Sequence, residues 1–415
     1  MHGRNRAVEN VISNFVTPSL EAAQYSCKQA VVSLMSDTRM AQPSIRIIGA
    51  GLSGLTLGQC LRRKNIPAAI YERVKANPTR NNYGITLYKS TYKPLLDTLQ
   101  ITEDDFRRQV GVQHPDSGAV VSNDQKLRVN RAALTSLLER DLDIKYEHKL
   151  NNITHSGISR SISFEDGSNN SKEDFNLLIG ADGVHSAVRS QLSLPKPAFD
   201  LEVLPYVVFN GKRRMAYSSL PRGLLDCFKS PDGIRHSQDG AVLSIKADFW
   251  NPDKQIVAVS YTLSRAAGEA DKPMLDRNIS DAETLAKQFV DEVASLGQLP
   301  APFDGIFNPA TMSEDRLLHW LMRSSLADDN AIRDAALDKG IVLLGDSMHA
   351  QPIPGNGANL AIDDALELAR HISTTGDVDI SAFLQARSQA WAEGKRENER
   401  ALAELHPASE SRARI

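Results

Sequence analysis

The chain has 415 residues, 41% hydrophobic and 24% charged, so it can bury the core of one large or two medium domains. Its net charge of −3 argues against a general nucleic-acid binder, which is expected to be basic. No apolar run is long enough to predict a membrane span. The 3 cysteines are far apart and form no CxxC pair, which argues against a disulfide framework or a disulfide reductase. We expect a cytoplasmic protein.

Residues 1–43 precede the first recognisable strand and carry only a weak amphipathic pattern, which Pro18 interrupts. The segment lacks the apolar region of a signal peptide, and its acidic residues argue against a transit peptide. We interpret it as an N-terminal extension whose order the sequence does not define, or as a mis-assigned start upstream of Met40.

A glycine-rich turn follows the apolar run at residues 45–48, and its glycines are Gly49, Gly51 and Gly54. The first glycine permits a tight turn out of a strand, the second lets the backbone approach a pyrophosphate, and the third lets the next helix pack closely. That helix starts at Leu52 and Ser53, where free N–H groups and a partial positive charge face an anion. The pattern predicts a dinucleotide site.

A second strand over residues 68–71 leads into Glu72, whose carboxylate can accept hydrogen bonds from ribose hydroxyls. Arg73 follows directly and could instead serve the 2′-phosphate of NADP. This part of the chain therefore predicts a dinucleotide without separating FAD from NAD(P).

Between residue 200 and about 317 the pattern changes to that of antiparallel strands. We predict strands over 203–209, 241–249 and 255–263, a hairpin loop at 251–254 and a helix over 282–295. Pro205 makes the first strand an edge strand or delays its start to Tyr206. Four larger side chains are predicted to be core rather than pocket residues, namely Tyr206, Phe209, Met215 and Phe228.

A third segment begins with the apolar run 341–344 and continues through Gly345 and Asp346 into a loop rich in proline and glycine. A carboxylate at the end of a strand points into the crevice where α/β proteins bind ligands. A helical pattern starts at Ala358, so the loop ends at a helix N-terminus that favours an anion. We interpret His349 as shaping this loop rather than as a catalytic residue.

The stretch 380–405 is helical by period, with Phe383, Leu384 and Trp391 on one apolar stripe. Arg387 interrupts that stripe. We predict that its stem lies along the apolar face while its charge reaches water.

Three segments together, the glycine-rich turn, the run ADGVHSAVR at 181–189 and GDSMH at 345–349 with its PxxGxGxN continuation, resemble the FAD-dependent aromatic hydroxylases. These are single-component flavin monooxygenases with the para-hydroxybenzoate hydroxylase fold, and the resemblance covers about residues 44–372. It implies an α/β fold with a Rossmann-like FAD-binding domain, an inserted antiparallel-sheet substrate domain and a C-terminal helix. The expected ranges are 44–199 and 318–372 for the FAD-binding domain, 200–317 for the substrate domain and 373–415 for the C-terminal helix.

The resemblance also implies site residues. Asp346 would bind the ribityl chain of FAD, and the backbone from Gly355 to Asn359 would lie against the flavin ring. Arg131 and Gly84 would touch the cofactor, and the 181–189 segment would support FAD and the use of NAD(P)H. The expected cofactor-binding residues are Gly49, Gly51, Leu52, Ser53, Gly54, Glu72, Arg73, Gly84, Arg131, Asp182, Gly183, Asp346, Gly355, Gly357, Ala358 and Asn359.

Two departures from the family pattern are visible. Asn356 replaces the usual glutamine, and Ser347 with the bulkier Met348 follows the Gly-Asp pair, where small residues are common. We expect these residues to reshape the edge of the flavin.

The implied chemistry is monooxygenation of an aromatic or polycyclic small molecule, such as a secondary metabolite. NADPH or NADH would reduce FAD, and O2 would form a flavin C4a-hydroperoxide that hydroxylates or epoxidises the substrate. No catalytic acid or base and no metal site are assigned, and similarity to the compact, tetracycline-inactivating members favours a monomer. Two alternatives remain open: an oxygen-independent flavin reductase or dehydrogenase of the same fold, and a non-catalytic flavin-binding scaffold.

Overall fold

A computed structural model describes residues 44–77, 81–156, 159–165, 172–192, 201–275, 282–352 and 355–406. The chain divides into two units after residue 42, and every described residue belongs to the second, Pro43–Ile415. The predicted extension at 1–43 therefore lies outside the described residues.

Fifteen strands occur in the described ranges. They are β1 (Ile45–Ile48), β2 (Ala68–Glu72), β3 (Gly84–Tyr88), β4 (Lys126–Asn130), β5 (Ile144–Tyr146), β6 (Lys149–Ser156), β7 (Ser159–Glu165), β8 (Lys172–Asp174), β9 (Leu177–Gly180), β10 (Glu202–Ala216), β11 (Ile234–Gln238), β12 (Ala241–Asn251), β13 (Ile256–Ala266), β14 (Arg316–Ser324) and β15 (Ile341–Leu343). The helices are α1 (Leu52–Arg63), α2 (Lys89–Leu99), α3 (Glu103–Val110), α4 (Arg131–Leu138), α5 (Ala187–Ser190), α6 (Lys272–Leu275), α7 (Ala282–Ser295), α8 (Phe303–Ile306), α9 (Pro309–Met312), α10 (Asp329–Lys339), α11 (Gly357–His371) and α12 (Ile380–Leu405).

A parallel sheet in the order β15-β9-β1-β2-β5 forms the centre of the nucleotide-binding part. Its strands are rich in fully buried Ile, Leu and Val, as expected when helices cover both faces. Ile48 at the end of β1 pairs with Gly180 at the end of β9, and Gly180 also pairs with Leu343 at the end of β15. The three glycine-containing segments of the sequence therefore leave the sheet side by side at its carboxyl edge.

The second large sheet is antiparallel, in the order β11-β12-β13-β10-β14. This confirms the predicted α/β fold with an inserted antiparallel-sheet domain. β14 extends this sheet to Ser324, beyond the boundary expected at residue 317.

The edge-strand interpretation of β10 was wrong, because β10 pairs with both β13 and β14. Pro205 is accommodated by an irregularity in the register with β14 between Val203 and Val207. Pairing with β13 starts at Tyr206, which matches the alternative of a delayed start. A central strand can hold a proline where the ladder is already interrupted, because no hydrogen bond is lost there.

A second irregularity lies in β12. Ala247 pairs with Val259 and Phe249 pairs with Ala258, so Asp248 is the extra residue of a β-bulge. The bulge turns the Asp248 side chain inward, where its Oδ1 accepts the N–H of Gly84 at 2.8 Å. A Cβ at Gly84 would lie under 3.0 Å from the carbonyl oxygen of Ala247. The two-stranded ribbon of β3 and β4 thus packs directly on the antiparallel sheet.

Two of the four predicted core side chains are fully buried, Phe209 and Phe228. Tyr206 is only partly buried against a small cluster around Met322 and Leu402. Met215 is also partly buried: it packs against the hydrophobic cluster of the antiparallel-sheet domain and lines a large cleft as well.

The C-terminal helix α12 has the predicted bounds and packs against α11. Arg387 does not send its charge to water as predicted. Its Nε donates to Oδ1 of the fully buried Asp364 at 2.9 Å, because a buried carboxylate on α11 needs a cationic partner. Within the described ranges, no helix combines the length and the apolar character needed to cross a membrane.

Candidate active site

The first glycine turn packs on the backbone of the second segment. Gly49 has φ +107°, and a Cβ there would lie under 3.0 Å from the carbonyl of Ala181. A Cβ at Gly54 would similarly overlap the carbonyl of Gly49. At Gly51, by contrast, only the Ala181 oxygen lies within 4 Å, at 3.7 Å. Gly49 and Gly54 are therefore needed for packing, whereas Gly51 faces open space.

Two helix N-termini open on the same cleft. No side chain caps α1 at Gly51 or α11 at Asn356, and neither helix has an acidic residue in its first turn. Their first residues, including Leu52 and Gly357, line the cleft. Each end therefore offers uncapped backbone N–H groups and a partial positive charge to an anion.

The cleft has a volume of about 1930 Å³ and reaches from these helix ends to the antiparallel sheet. That exceeds the range of about 300–1,000 Å³ that is usual for a small-molecule pocket. Eleven of the sixteen predicted cofactor residues line it, namely Gly51, Leu52, Ser53, Gly84, Arg131, Gly183, Asp346, Gly355, Gly357, Ala358 and Asn359. The remaining five lie outside the described lining: Gly49, Gly54, Glu72, Arg73 and Asp182.

Asp346 is exposed to the cleft just after β15. Surrounding protein removes much of the hydration of its carboxylate, and this desolvation raises the pKa of Asp346. The positive charge of Arg131 and Arg189 opposes the rise, whereas the charge of Asp364 adds to it. An acid in this environment gains stability from hydrogen-bond donors on a ligand.

Arg131 begins α4 directly after the Asn130 cap, whose side chain accepts the N–H of Ala133. Its backbone N–H donates to the carbonyl of Tyr83 at 2.8 Å, and its guanidinium lies 5.6 Å from the centre of the Tyr83 ring. These contacts hold a cation at the cleft wall within electrostatic reach of Asp346.

Glu72 joins two turns at the end of β2. Its Oε2 accepts the N–H of Ala50 at 3.0 Å, and its Oε1 accepts the N–H of Val74 at 3.2 Å. The carboxylate therefore braces the first glycine turn.

Asp182 acts as a local organiser in the second segment. Its two carboxylate oxygens accept the Ser186 hydroxyl at 2.5 Å and the Ala187 N–H at 2.6 Å, which fastens the start of α5. Burial raises the pKa of Asp182, and these hydrogen bonds oppose the rise. The neighbouring Gly183, at φ +82°, has no atom within 4 Å of a Cβ position and faces the cleft.

Arg189 links the second and third segments, a role missing from the sequence-based site list. One guanidinium nitrogen donates to the carbonyl of Ser347 at 2.7 Å and to that of Asp346 at 3.4 Å. The signal in the sequence is its place at the end of ADGVHSAVR, one turn of helix after Ser186. Arg189 fixes the backbone that presents Asp346.

A buried polar cluster around Asp364 was also missed. The Asp364 carboxylate accepts the N–H of Gly345 at 3.2 Å and the indole N–H of Trp391 at 2.7 Å, and it bonds His349 Nε2 at 2.5 Å. Burial opposes its ionisation, but His349 and Arg387 outweigh that effect and lower the pKa of Asp364. The signal was an aspartate on the apolar face of α11, which demands buried partners.

Asn359 and Ser347 form hydrogen bonds within the protein. The Asn359 amide donates to Thr86 O at 3.1 Å and accepts Tyr88 N–H at 2.8 Å, so it joins α11 to β3.

Ser347 and Met348 are fully buried and turned away from the cleft. Their absence from the described lining argues against the expectation that they reshape the flavin edge, and the Ser347 hydroxyl lies against the carbonyl of Leu344 at 2.7 Å.

The residues present suit a flavin dinucleotide. A Cβ at Gly51 or Gly357 would make only ordinary van der Waals contacts, and both glycines adjoin uncapped helix ends that match a pyrophosphate and an electron-rich ring. The exposed carboxylate of Asp346 matches a polyol chain, whose hydroxyls are hydrogen-bond donors. The cleft has room for such a cofactor and a second molecule.

No family model matches the chain. The FAD-dependent monooxygenase adaC of Aspergillus niger is 30% identical over 389 residues, which are 84% of this chain and 89% of that protein. Among solved structures, 2,6-dihydroxypyridine-3-hydroxylase from Arthrobacter nicotinovorans superposes with a TM-score of 0.64 at 18% identity, over 89% of this chain and 94% of that one. HpxO of Klebsiella pneumoniae, solved with FAD and uric acid, has a TM-score of 0.61 at 16% identity, over 89% and 90%.

The similarity of sequence extends over both sheets rather than over the nucleotide-binding motifs alone, because it covers more than four fifths of the chain. The solved structures share the same combination of parallel and antiparallel sheets. The chain therefore belongs to the FAD-dependent aromatic hydroxylase family and is an FAD-dependent monooxygenase.

Proposed function

We propose that the enzyme takes two electrons from NADPH or NADH and inserts one atom of O2 into an aromatic or polycyclic small molecule, by hydroxylation or epoxidation. The second oxygen atom leaves as water, with the electrons and a proton from the reduced nicotinamide and one further proton from solvent. The observation that carries the proposal is one continuous cleft that joins the glycine turns to the face of the antiparallel sheet. Cofactor and substrate can meet there.

The nucleotide half of FAD lies, in this proposal, along Gly51, Leu52 and Ser53, where the α1 N-terminus meets the pyrophosphate. Glu72 accepts a ribose hydroxyl while it braces Ala50. Gly49 and Gly54 act indirectly, because they let the turn pack against Ala181.

The ribityl chain is held by Asp346, and the positive charge of Arg131 partly balances that carboxylate. The N-terminus of α11, at Gly357 and Ala358, faces the electron-rich edge of the flavin ring and stabilises negative charge there. Bound flavin supplies the oxygen activation, through the C4a-hydroperoxide expected from the family resemblance. Side chains of the chain position the reactants and exclude water, and none is assigned as an acid or base.

An anaerobic absorbance spectrum of the purified protein, recorded before and after addition of NADPH, tests this function. We expect bound flavin that bleaches with NADPH, faster with some members of a panel of phenols and polycyclic aromatics, and a coupled uptake of O2 on admission of air. Bound flavin that NADPH and NADH never reduce would contradict the nicotinamide step. Turnover that proceeds equally without O2 would contradict monooxygenation and favour a reductase.

The resemblance to compact family members supports the further proposal of a monomer, for which we propose a cytoplasmic location. Light scattering coupled to size exclusion should then give a mass near 45.5 kDa plus FAD. A mass of twice that value would overturn the monomer.

A further inference from the structure

We infer that the substrate carries a negative charge, as a carboxylate or an acidic phenolate, and that Lys212 and Lys246 on the antiparallel sheet bind it. The inference rests on the proposed function, because it names the substrate class of the same cleft. Three observations support it. The sheet register places the two lysines in one row, the nearby acids are bound to other residues, and no described carboxylate forms a hydrogen bond or ion pair with either lysine.

The register places both lysines in one row. Ser260 on β13 pairs with Lys212 on β10 from one side and with Lys246 on β12 from the other. Residues directly opposite each other point to the same face of a sheet, and the two lysine Cα atoms are about 10 Å apart, two strand spacings. All three residues line the cleft. Two lysines therefore flank a hydroxyl on this wall of the cleft, and Arg316 pairs with Lys212 on its other side.

The acids close to this row are already paired. Asp248 lies 3.6 Å from the Arg128 guanidinium and also accepts the Ser260 hydroxyl at 2.6 Å. Asp232 is bound by Lys126 at 2.8 Å. Neither carboxylate has a hydrogen bond or ion pair with Lys212 or Lys246.

Among the described residues, no carboxylate forms a hydrogen bond or ion pair with Lys212 or Lys246, although Asp248 and Asp232 act on them electrostatically from a greater distance. The ammonium of Lys212 lies 3.8 Å from the centre of the Tyr83 ring, a contact that leaves its charge unneutralised. Both side chains are only partly exposed. Burial lowers the pKa of both lysines, to about 8 for Lys246, and the charges of Asp248 at Lys212 and of Asp232 at Lys246 offset the effect only in part. Two half-buried cations without a bonded carboxylate destabilise the free protein, which is expected where a ligand supplies the countercharge.

The rest of this wall suits an aromatic acid. The next row along the sheet carries Ser244 and Thr262, which pair with each other and can bond ligand oxygens. Trp320 lies in the row beyond Ser244 and Thr262. Phe249 lies in the row beyond the lysines, where the Arg214 guanidinium is 5.6 Å from the centre of its ring. An oxygenated ring system with one acidic group matches this sequence of apolar, hydroxyl and cationic positions.

Binding to the FAD-loaded protein, measured by titration calorimetry, tests the inference with two probes of equal shape. The probes are 1-hydroxy-2-naphthoate and its neutral amide, 1-hydroxy-2-naphthamide. We expect the wild type to bind the carboxylate at least tenfold more tightly than the amide. Lys212→Met and Lys246→Met should each reduce that preference at least threefold, and the double variant should abolish it. The corresponding arginine variants should retain it.

Lys254→Met is the matched control, because Lys254 lies exposed in the β12–β13 hairpin and the change removes the same charge from the same sheet. It should keep the wild-type preference. Equal binding of both probes, a preference that survives in the double variant, or no binding of the naphthoate would overturn the inference. A double variant that loses affinity for NADPH but keeps its naphthoate binding would also overturn the inference, because the lysines would then bind coenzyme phosphates.

The experiments can refute the anionic substrate without refuting the monooxygenase reaction, and the reverse. If the wild type retains FAD, is reduced by NADPH and shows no charge preference, the anionic substrate is wrong and the monooxygenase reaction stands. If NADPH does not reduce the flavin but the naphthoate preference depends on both lysines, the cation pair stands and the proposed electron donor is wrong.

Discussion

The two halves of the cleft are built from different parts of the chain. On the nucleotide side, the wall is largely backbone: glycine turns and the ends of α1 and α11. On the opposite side, it is the side-chain face of β10, β12 and β13, where Lys212, Ser260 and Lys246 form one row.

This difference explains which half could be recognised from sequence. A backbone site requires glycine at defined spacings, so its signature is local and contiguous. A sheet-face site is made of single residues from strands that are distant in sequence, and only the register brings them together. The same comparison indicates where substitutions should disturb folding and where they should disturb recognition alone.

The largest effect is expected at Asp364, where a side chain rather than backbone organises the nucleotide half. Asp364→Ala leaves His349 and Arg387 buried without their carboxylate, so we expect the free energy of unfolding to fall by about 3–5 kcal/mol. Urea unfolding of the FAD-free protein measures this free energy.

The effect of Asp364 should also depend on pH. Because the folded-state pKa of Asp364 is lowered, the stability that its carboxylate contributes is complete above the unfolded pKa and is lost as the pH falls through the folded pKa. The difference between wild type and variant should therefore shrink in acid, and a difference below about 1 kcal/mol at pH 7 would contradict the role.

Two glycines on the nucleotide side of the cleft, Gly49 and Gly51, are expected to respond differently to substitution. Gly49→Ala forces a side chain into a φ of +107° and against Ala181, so we expect a loss of about 3 kcal/mol in unfolding free energy. Gly51→Ala has room for its methyl group and should stay within about 1 kcal/mol of the wild type while it weakens FAD binding. Urea unfolding and fluorimetric FAD titration separate the two. Equal stability losses would mean that Gly51 is also a packing residue.

Asp346→Ala should weaken FAD binding roughly tenfold or more, because a carboxylate that accepts ligand hydroxyls is removed. In the FAD-free protein the pKa of Asp346 is raised, so its ionised form lowers stability at pH 7, and the variant should be at least as stable as the wild type. FAD titration and thermal unfolding give both quantities. Full retention of FAD by the variant would refute the ribityl assignment.

Glu72→Ala should weaken FAD binding by about 1 kcal/mol, roughly fivefold, and loosen the first glycine turn. Glu72→Gln is the control, since its one carbonyl oxygen can still accept the Ala50 N–H. We expect Gln to restore stability more fully than FAD affinity. Unchanged FAD affinity in both variants would make Glu72 a purely structural brace.

The smallest effect is expected at Lys246, on the side-chain wall. Its pKa is lowered to about 8 by burial, so the charged form is disfavoured in the folded state, and Lys246→Met should raise stability at pH 7 by about 1 kcal/mol after allowance for solvent. Above pH 8 the folded lysine loses its proton first, so the gain should decline and vanish above the ordinary pKa of 10.5. Thermal unfolding against pH measures this, and a variant less stable at pH 7 would show that the lysine contributes to packing.

Several predictions from sequence failed for reasons that lie in tertiary contacts. Pro205 indicated an edge strand, but a local irregularity lets β10 occupy the middle of its sheet. Arg387 was expected to reach water, but Asp364, 23 residues earlier, takes its charge. Met348 was expected at the flavin edge, but it is fully buried. Each depends on a partner that period and composition do not reveal.

The sequence by itself determined the nucleotide-binding half, the α/β class and the C-terminal helix. Glycine spacing, apolar strand runs and helical period are local properties, because they follow from backbone sterics and from the burial of one face. Only the tertiary structure decided that Arg189 holds the backbone of Asp346, that buried Asp364 is paired with His349, and that Lys212 and Lys246 lie in one row on either side of Ser260. These are long-range juxtapositions, and they are set by strand register and helix packing rather than by any contiguous stretch of residues.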